Sequence, residues 1–465
     1  MSRVALAAIA AALVAIALLA VRPPSEPGPF MRDFEAYYSA GRAVNARANP
    51  YDASLLRYER AVPGVEGTRN ELLPFVGAPP SLALWSAIAR TDYTTASRTW
   101  LFVLCAALFA LVLATLECCD ARVRSLDFFI VSICALSFVP ITSDFVLGSP
   151  ALVAYSAGAA ALVASSRSTL LTAFSALVGS LQPNVALACA VIARGRRGLI
   201  ALAFAASVLY GLGAAMAGFA WPASYAALLR AHGSAEQIIA IQYTPAAISF
   251  GLGLSRATAT FVGLAVAFAA LAFALFHIFR SKELVRSFAI ACTALPFVSG
   301  FVHEHDLVLL FIPALWAIRN VTSRMQPLVV LAFGLASVHW MDFAQQPHAA
   351  TQDIVLGLGA LTAILAFGKD RAPMHYIAAT AAFALILGGA WIGIHHPAPI
   401  WPNDMQPFKT PPLATAAYVW HIEQIQTGLE QPNPYWAALR IPALSAAAIL
   451  LVILSLTKTN IRVKT

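Results

Sequence analysis

Residues 198–217 read GLIALAFAASVLYGLGAAMA, a run of 20 residues without one charged side chain. A helix rises about 1.5 Å per residue, so a run of this length can cross the hydrocarbon layer of a bilayer. Outward from it, comparable apolar runs recur along all 465 residues, of which 60% are hydrophobic and 11% charged. Backbone groups cannot be left unpaired in lipid, so the pattern excludes a water-soluble fold and predicts an all-α, polytopic membrane protein.

We expect one integral membrane domain over residues 1–465 with about 12–14 membrane segments. The stretch 169–193 is short for two full spans, and we interpret it as two half-length helices broken at Gln182-Pro183-Asn184, since proline interrupts the helical hydrogen bonds. The first segment ends in Ala20-Val21-Arg22-Pro23 without a good cleavage site, which favours a retained helix over a signal peptide. The predicted segments are 4–21, 97–116, 126–142, 150–165, 169–181, 183–193, 198–217, 257–279, 287–302, 307–318, 326–340, 354–367, 374–394 and 439–456.

The positions of the basic residues predict the orientation, because lysine and arginine concentrate in short cytoplasmic loops. An orientation with both termini in the cytoplasm of a bacterium and the domain in its inner membrane leaves three long loops outside, 22–96, 218–256 and 395–438. We therefore expect the functional residues to lie in these outward-facing loops. The net charge of +8 forms no basic stripe, so no nucleic-acid partner is expected. The basic residues assigned inside include Arg194, Arg196, Arg197, Arg280, Lys282, Arg286, Arg319, Arg324, Lys369, Arg371, Lys458, Arg462 and Lys464.

The first outer loop contains the stretch FMRDFEAYYSAGR at residues 30–42. Its aromatic residues fall at helical spacing, which predicts an interfacial helix with an aromatic face against lipid headgroups. Asp33 begins that helix and could simply be its N-cap. The alternative is chemical: a carboxylate at the membrane surface, beside Arg32 and Arg42, could deprotonate a hydroxyl acceptor while a basic group steadies a departing phosphate.

Several short motifs resemble glycosyltransferase family 87. They are Asp33-Phe34-x-x-Tyr37-Tyr38-x-Ala40, Asn49-Pro50-Tyr51-Asp52, Pro79-Pro80, Gly148-Ser149-Pro150, Gln182-Pro183-Asn184 and His303-Glu304-His305-Asp306, within roughly the first 320 residues. This resemblance implies a helix bundle of the GT-C type and transfer of a hexose, such as mannose, from a polyprenyl-phosphate sugar. The implied acceptor is a hydroxyl of an envelope lipid or glycan at the outer face, and configuration is inverted.

In that family the aspartate of the first loop is the catalytic base, so the resemblance assigns this role to Asp33. It also implies that a histidine before a late helix contacts donor or acceptor, with His305 as first match and His303 as second. Glutamine replaces the family's frequent lysine at position 182, so phosphate recognition would fall on Arg32, Arg42 or a histidine. The predicted substrate-binding residues are Arg32, Glu35, Tyr37, Tyr38, Arg42, His303 and His305.

No nucleotide-binding motif stands at a suitable place, and neither a cofactor nor a metal site is expected, although His303 to Asp306 contain two histidines and two carboxylates. Two other functions stay open: a transporter or flippase of lipid-linked sugars, and a non-catalytic envelope assembly subunit. Transporters place ionisable residues near mid-membrane, whereas here almost all lie at or beyond the ends of the predicted helices, which favours surface chemistry.

Overall fold

The computed structural model describes residues 1–19, 31–123, 125–345, 350–368, 372–398 and 414–457. Over these ranges the chain forms 21 α-helices and short 3-10 turns. Their β structure is limited to an isolated antiparallel bridge between Asp52 and Thr415. The predicted all-α polytopic membrane fold is therefore confirmed.

The helices differ widely in length, from membrane-spanning rods to single turns. In chain order they are α1 (Arg3–Leu19), α2 (Arg32–Asn45), α3 (Leu55–Glu59), α4 (Leu82–Ile88), α5 (Tyr93–Cys118), α6 (Leu126–Leu136), α7 (Val139–Leu147), α8 (Ala151–Ala164), α9 (Thr169–Gly179), α10 (Pro183–Cys189), α11 (Arg196–Ala217), α12 (Trp221–Glu236), α13 (Pro245–Gly251), α14 (Arg256–Arg280), α15 (Leu284–Val298), α16 (Phe311–Asn320), α17 (Gln326–Ala336), α18 (Ala350–Phe367), α19 (Pro373–His395), α20 (Ala416–Gln426) and α21 (Pro434–Leu456).

Six of the described helices, α5, α11, α14, α18, α19 and α21, are long and apolar enough to cross a membrane, and a bent pair makes up to seven. Six more apolar helices have 10–17 residues. Every predicted segment contains helix, but the expected 12–14 membrane segments are reached only when these shorter helices are counted.

Two of the helical segments are broken. The break predicted at Pro183 is present, with α9 ending at Gly179 and α10 beginning at the proline. Residues 126–142, predicted as one span, instead divide into α6 and α7, which meet at 60°. Phe138 is extended between them, Pro140 stands in the first turn of α7, and the Val139 N–H bonds the carbonyl of Ser337 outside the helix. This bend directs α7 toward the candidate site.

Polar groups collect at the two ends of the bundle. At one end the carboxylate of Asp127 pairs with Arg319 at 2.7 Å and with Arg3. At the other end the three long loops meet: the Leu72 N–H donates to Glu423 in α20, and the Ala240 N–H donates to the carbonyl of Leu429 at 2.9 Å. Several sequence-based assignments lie outside the described residues, namely the motif at 20–23, part of the third loop at 399–413, and Lys369, Arg371, Lys458, Arg462 and Lys464.

Candidate active site

Helix α2 begins with an unusual residue. Met31 occupies its N-cap with a left-handed backbone, φ 64°, and its carbonyl accepts hydrogen bonds from the Glu35 N–H at 3.2 Å and from the Tyr93 hydroxyl at 3.2 Å. Asp33 lies in the first turn of the helix and is not its N-cap. The carboxylate of Asp33 is therefore free of the structural role that the sequence left open for it.

The aromatic side of α2 packs inside the protein. Phe34 is fully buried and contacts Trp85, Tyr93 and Trp100, with ring centroids 5.8–6.4 Å apart. The prediction that this side meets lipid headgroups was wrong, because α4 and α5 cover it. Helical periodicity predicted an apolar face correctly, but it carries no information about which partner covers that face.

Trp100 and the turn at Gly148 together hold the start of α2 in place. The indole N–H of Trp100 donates to the carbonyl of Gly148 at 2.8 Å. Gly148 has φ 72°, and a Cβ there would lie 2.6 Å from the Cβ of Met31 and 2.7 Å from that of Phe34. Only glycine permits this approach, so the turn after α7 helps to position the Arg32-Asp33 turn.

Successive residues of a helix point about 100° apart, so Asp33 and Tyr37 share one side of α2. Both are partly exposed. The Tyr37 ring packs against Trp85 at 4.7 Å and against Phe75 at 5.9 Å. Burial raises the pKa of Tyr37 far above its usual value, and the negative charges of Asp33 and Asp306 add to this effect. Tyr37 therefore stays a neutral hydroxyl beside Asp33.

The loop of residues 303–306 forms the opposite wall. The rings of His303 and His305 stack with centroids 5.5 Å apart and planes 10° apart. The backbone N–H of His303 donates to the carboxylate of Asp306 at 2.9 Å, which closes the loop into a turn. Both histidines interact electrostatically with Asp33, more strongly than Arg32 does. The structure thus brings together residues that are 270 positions apart in the chain.

Asp33 has the properties of a proton acceptor. Its carboxylate accepts no hydrogen bond from any described residue, and part of its side chain remains exposed. Burial raises the pKa of Asp33, while His305, His303 and Arg32 lower it in that order. A carboxylate that no donor solvates has a raised pKa, which makes its ionised form a stronger proton acceptor.

Three of the predicted substrate-binding residues lie apart from Asp33, Tyr37 and the two histidines, and a fourth, Arg32, adjoins Asp33 but is already paired within the protein. Arg32 pairs with Glu71, and Glu35 is fully buried in an ion pair with Arg69. The Tyr38 hydroxyl donates to the carbonyl of Thr91 at 3.0 Å. Arg42 is exposed and lies about half a turn around α2 from Asp33. The structure therefore brings Asp33, Tyr37, His303 and His305 together, but not Glu35, Tyr38 or Arg42.

Two carboxyl groups that were not assigned to the site from the sequence lie next to it, Glu304 within the motif already named and Asp144, which no motif included. Asp144 in α7 is fully buried and interacts with Ser149, while Glu304 is 4% exposed and lies 3.7 Å from Nε2 of His339. Burial raises the pKa of Glu304, against the opposing effect of His339. Asp144 lies just beyond a predicted membrane segment, and an ionisable residue at such a place was the available signal.

A cavity of about 480 Å³ opens at the other end of α2. Its lining includes Val44, Arg47, Asn49, Tyr51 and Met216. Neither Asp33 nor the two histidines line it, so this cavity is separate from the candidate reaction site.

Comparison with known proteins agrees with the resemblance found in the sequence. The family model of glycosyltransferase family 87 matches residues 75–302, just under half of the chain, and confirms that resemblance. No curated protein and no solved structure matches the chain. The family match and the helical bundle together support a membrane glycosyltransferase. Asp33 precedes the matched range, and His303 directly follows it.

Proposed function

We propose, starting from the match to glycosyltransferase family 87, that this protein transfers a hexose from a polyprenyl-phosphate sugar to a hydroxyl of an envelope lipid or glycan. Asp33 is the general base, and the reaction inverts the configuration of the sugar. We place the reaction at the outer face of a bacterial inner membrane, with both termini in the cytoplasm and the donor and acceptor approaching from the bilayer.

The observation that carries this proposal is the Asp33 carboxylate itself. It is partly exposed, it has no described hydrogen-bond partner, and it faces two stacked imidazole rings. A structural carboxylate would be expected to accept N–H groups or to pair with an arginine, as Glu35 does with Arg69. A carboxylate without hydrogen-bond donors, next to basic side chains, instead suits a reaction in which the carboxylate accepts a proton and an anionic group departs.

In the proposed reaction the acceptor oxygen attacks the anomeric carbon of the sugar, and its proton moves to Asp33. The bond between the anomeric carbon and the phosphate oxygen breaks, and its electron pair leaves with the polyprenyl phosphate. His305 and His303 stabilise the departing phosphate, while Tyr37 contacts the sugar or the acceptor. Attack opposite to the leaving group explains inversion. General-base help of this kind is typically worth about 10²–10⁴-fold.

Arg32 has a smaller part in this scheme than the sequence indicated. Its guanidinium pairs with Glu71, so part of its charge is already compensated within the protein. We assign it to the edge of the phosphate site. Arg42, on the other side of α2, contributes no contact to the reaction.

The test is transfer by the purified protein in liposomes that contain a radiolabelled polyprenyl-phosphate hexose and envelope lipids. Asp33→Asn should reduce transfer by at least about 10²-fold while donor binding is retained. Asp92→Asn is the matched control: Asp92 is the exposed N-cap of α5, and asparagine caps equally well, so transfer should be unchanged. Asp33→Asn protein with wild-type turnover would refute the assignment of the base. Uptake of the labelled lipid without product would instead favour a transporter.

A further inference from the structure

Behind His303 lies a fully buried carboxylate, that of Glu236 at the end of α12. Its two oxygens are surrounded by four nitrogen atoms, three of which donate hydrogen bonds. One oxygen lies 3.1 Å from His232 Nε2 in an ion pair and accepts from the indole N–H of Trp420 at 2.6 Å. The other accepts from Gln242 Nε2 at 2.5 Å and from His303 Nε2 at 3.0 Å. Four nitrogen atoms around one carboxylate leave it no free acceptor site.

This arrangement determines one face of the His303 ring. A carboxylate oxygen can only accept, so the Nε2 of His303 donates to Glu236 at 3.0 Å when it carries a proton; the amide nitrogen of Gln242, a donor, lies 3.1 Å from the same ring nitrogen. The nearby Gln242 amide cannot exchange its ends, because its oxygen accepts the Val302 N–H at 2.6 Å. Nε2 of His303 is therefore occupied by Glu236. In the described residues Nδ1 has no hydrogen-bond partner, and the side chain of His303 remains 26% exposed.

We propose that Glu236 is a positioning residue, whose buried carboxylate holds His303 in its positively charged form with the free edge of the ring toward Asp33 and the donor phosphate. This role deepens the proposed function and rests on it, because a cation at His303 serves the departing phosphate. Glu236 acts only through His303 and does not itself contact substrate.

The surrounding segments make this carboxylate rigid. Glu236 ends α12, Gln242 and Tyr243 follow it, and the Tyr243 N–H bonds the carbonyl of Val302 at 2.8 Å. Arg440, fully buried in α21, donates to the carbonyls of Ile239 and Gln242 at 3.2 and 3.0 Å. The second outer loop is thereby tied to the residue before His303. Preorganised charge of this kind needs little reorganisation when negative charge develops.

The charges around His303 support the same assignment. Burial lowers the pKa of His303, but Glu236 outweighs it, and Asp306 and Asp33 add to the effect, so that the pKa rises to about 9. The titratable groups that face His303 are Glu236 and, through it, His232 from α12, Asp33 from α2, and Asp306 and His305 from its own loop. Glu304 and, from α7, Asp144 belong to the same neighbourhood, while α20 contributes only the uncharged Trp420.

The experiment is a nitrogen-15 NMR titration of histidine-labelled protein, which needs no substrate. The ten histidines include His303, whose signal is assigned by its loss in His303→Gln. A pKa of about 9 leaves roughly nine-tenths of the rings charged at pH 8, whereas the ordinary value of 6.5 leaves about one in thirty. Glu236→Gln should therefore lower the charged fraction of His303 about 30-fold at pH 8.

Two controls separate this role from a general loss of structure. His232→Gln keeps a donor to Glu236 and removes only the competing ring, so His303 should stay charged. Glu423→Gln changes another fully buried glutamate, one that does not contact His303, and should leave the titration unchanged. If Glu236→Gln fails to fold, the wild-type titration still decides: a neutral His303 at pH 7.5 would overturn the proposal, as would an identical titration in folded Glu236→Gln.

A second readout connects the residue to the reaction. In the transfer assay Glu236→Gln should move the basic limb of the pH profile down by about 2.5 pH units and leave the acidic limb in place. Absence of transfer in the wild type would count against the proposed function alone, because the NMR titration is independent of it. Transfer with an unchanged basic limb would count against Glu236 alone.

Discussion

Gly148→Ala tests whether the turn after α7 positions the base. The substitution has two costs that can be estimated from the structure. A left-handed backbone costs a residue with a Cβ about 1–2 kcal/mol. In addition, the new Cβ would lie 2.6 Å from the Met31 Cβ, while ordinary contacts begin at 3.4 Å, so the start of α2 must retreat by about 0.8 Å. A displacement of about 1 Å at a reacting group can reduce the rate about 10²-fold.

Gly253→Ala is the matched control. Gly253 also has a positive φ, 98°, but a Cβ there would meet nothing within 4 Å. Both variants carry the backbone strain and should lose similar thermal stability from it, whereas only Gly148→Ala pushes on Met31 and Phe34. We expect transfer in liposomes to fall about 10²-fold in Gly148→Ala and to remain near wild type in Gly253→Ala. Equal transfer rates in the two variants would refute the idea that this contact positions Asp33.

Three other predictions follow from the charges of the outer end. Asp33 must be ionised to accept a proton, and burial raises its pKa, so transfer should fall as the pH drops. A pH–rate profile should show the acidic limb above pH 3.8, and a limb at or below pH 3.8 would contradict this prediction. The pKa of the buried Glu423 is raised to about 9, so folding stability should decrease as the pH rises from 4.5 toward 9. Glu423→Gln should therefore stabilise the protein by on the order of 3 kcal/mol at pH 7 but not at pH 4, and thermal unfolding at both pH values measures this difference. Arg69→Ala leaves two buried glutamates without their arginine partner and should lower the free energy of unfolding by about 3–5 kcal/mol. Arg42→Ala, at an exposed position, should alter neither stability nor transfer, and a large loss of transfer in this variant would restore Arg42 to the site.

The membrane class, the apolar helical segments and the long polar loops could be predicted from the sequence. Hydropathy is a local property, since each residue contributes its own transfer free energy wherever its neighbours lie. The same applies to Pro183, which interrupts its own helix. The bend between α6 and α7 was missed, because the Ser337 carbonyl that accepts from Val139 lies almost 200 residues away.

The candidate site was predicted in part. The structure places Asp33 beside His303 and His305, and the roles that the family resemblance implies for them stay predictions. Glu35 was expected to bind substrate, but it turns away from Asp33 by about 200° and pairs with Arg69. Glu236 could not be predicted, since a lone glutamate at the end of a loop helix has no signature in the sequence.

The sequence by itself determined that this protein lies in a membrane, roughly where its apolar helices lie and which loops are polar, because these depend on the side chains of neighbouring residues. Only the tertiary structure decided which polar groups meet. Asp33, His303 and Glu236 come from three separate segments, and their contacts arise from the packing of helices that no local pattern specifies. The side of α2 that is free to react follows from what α4 and α5 cover.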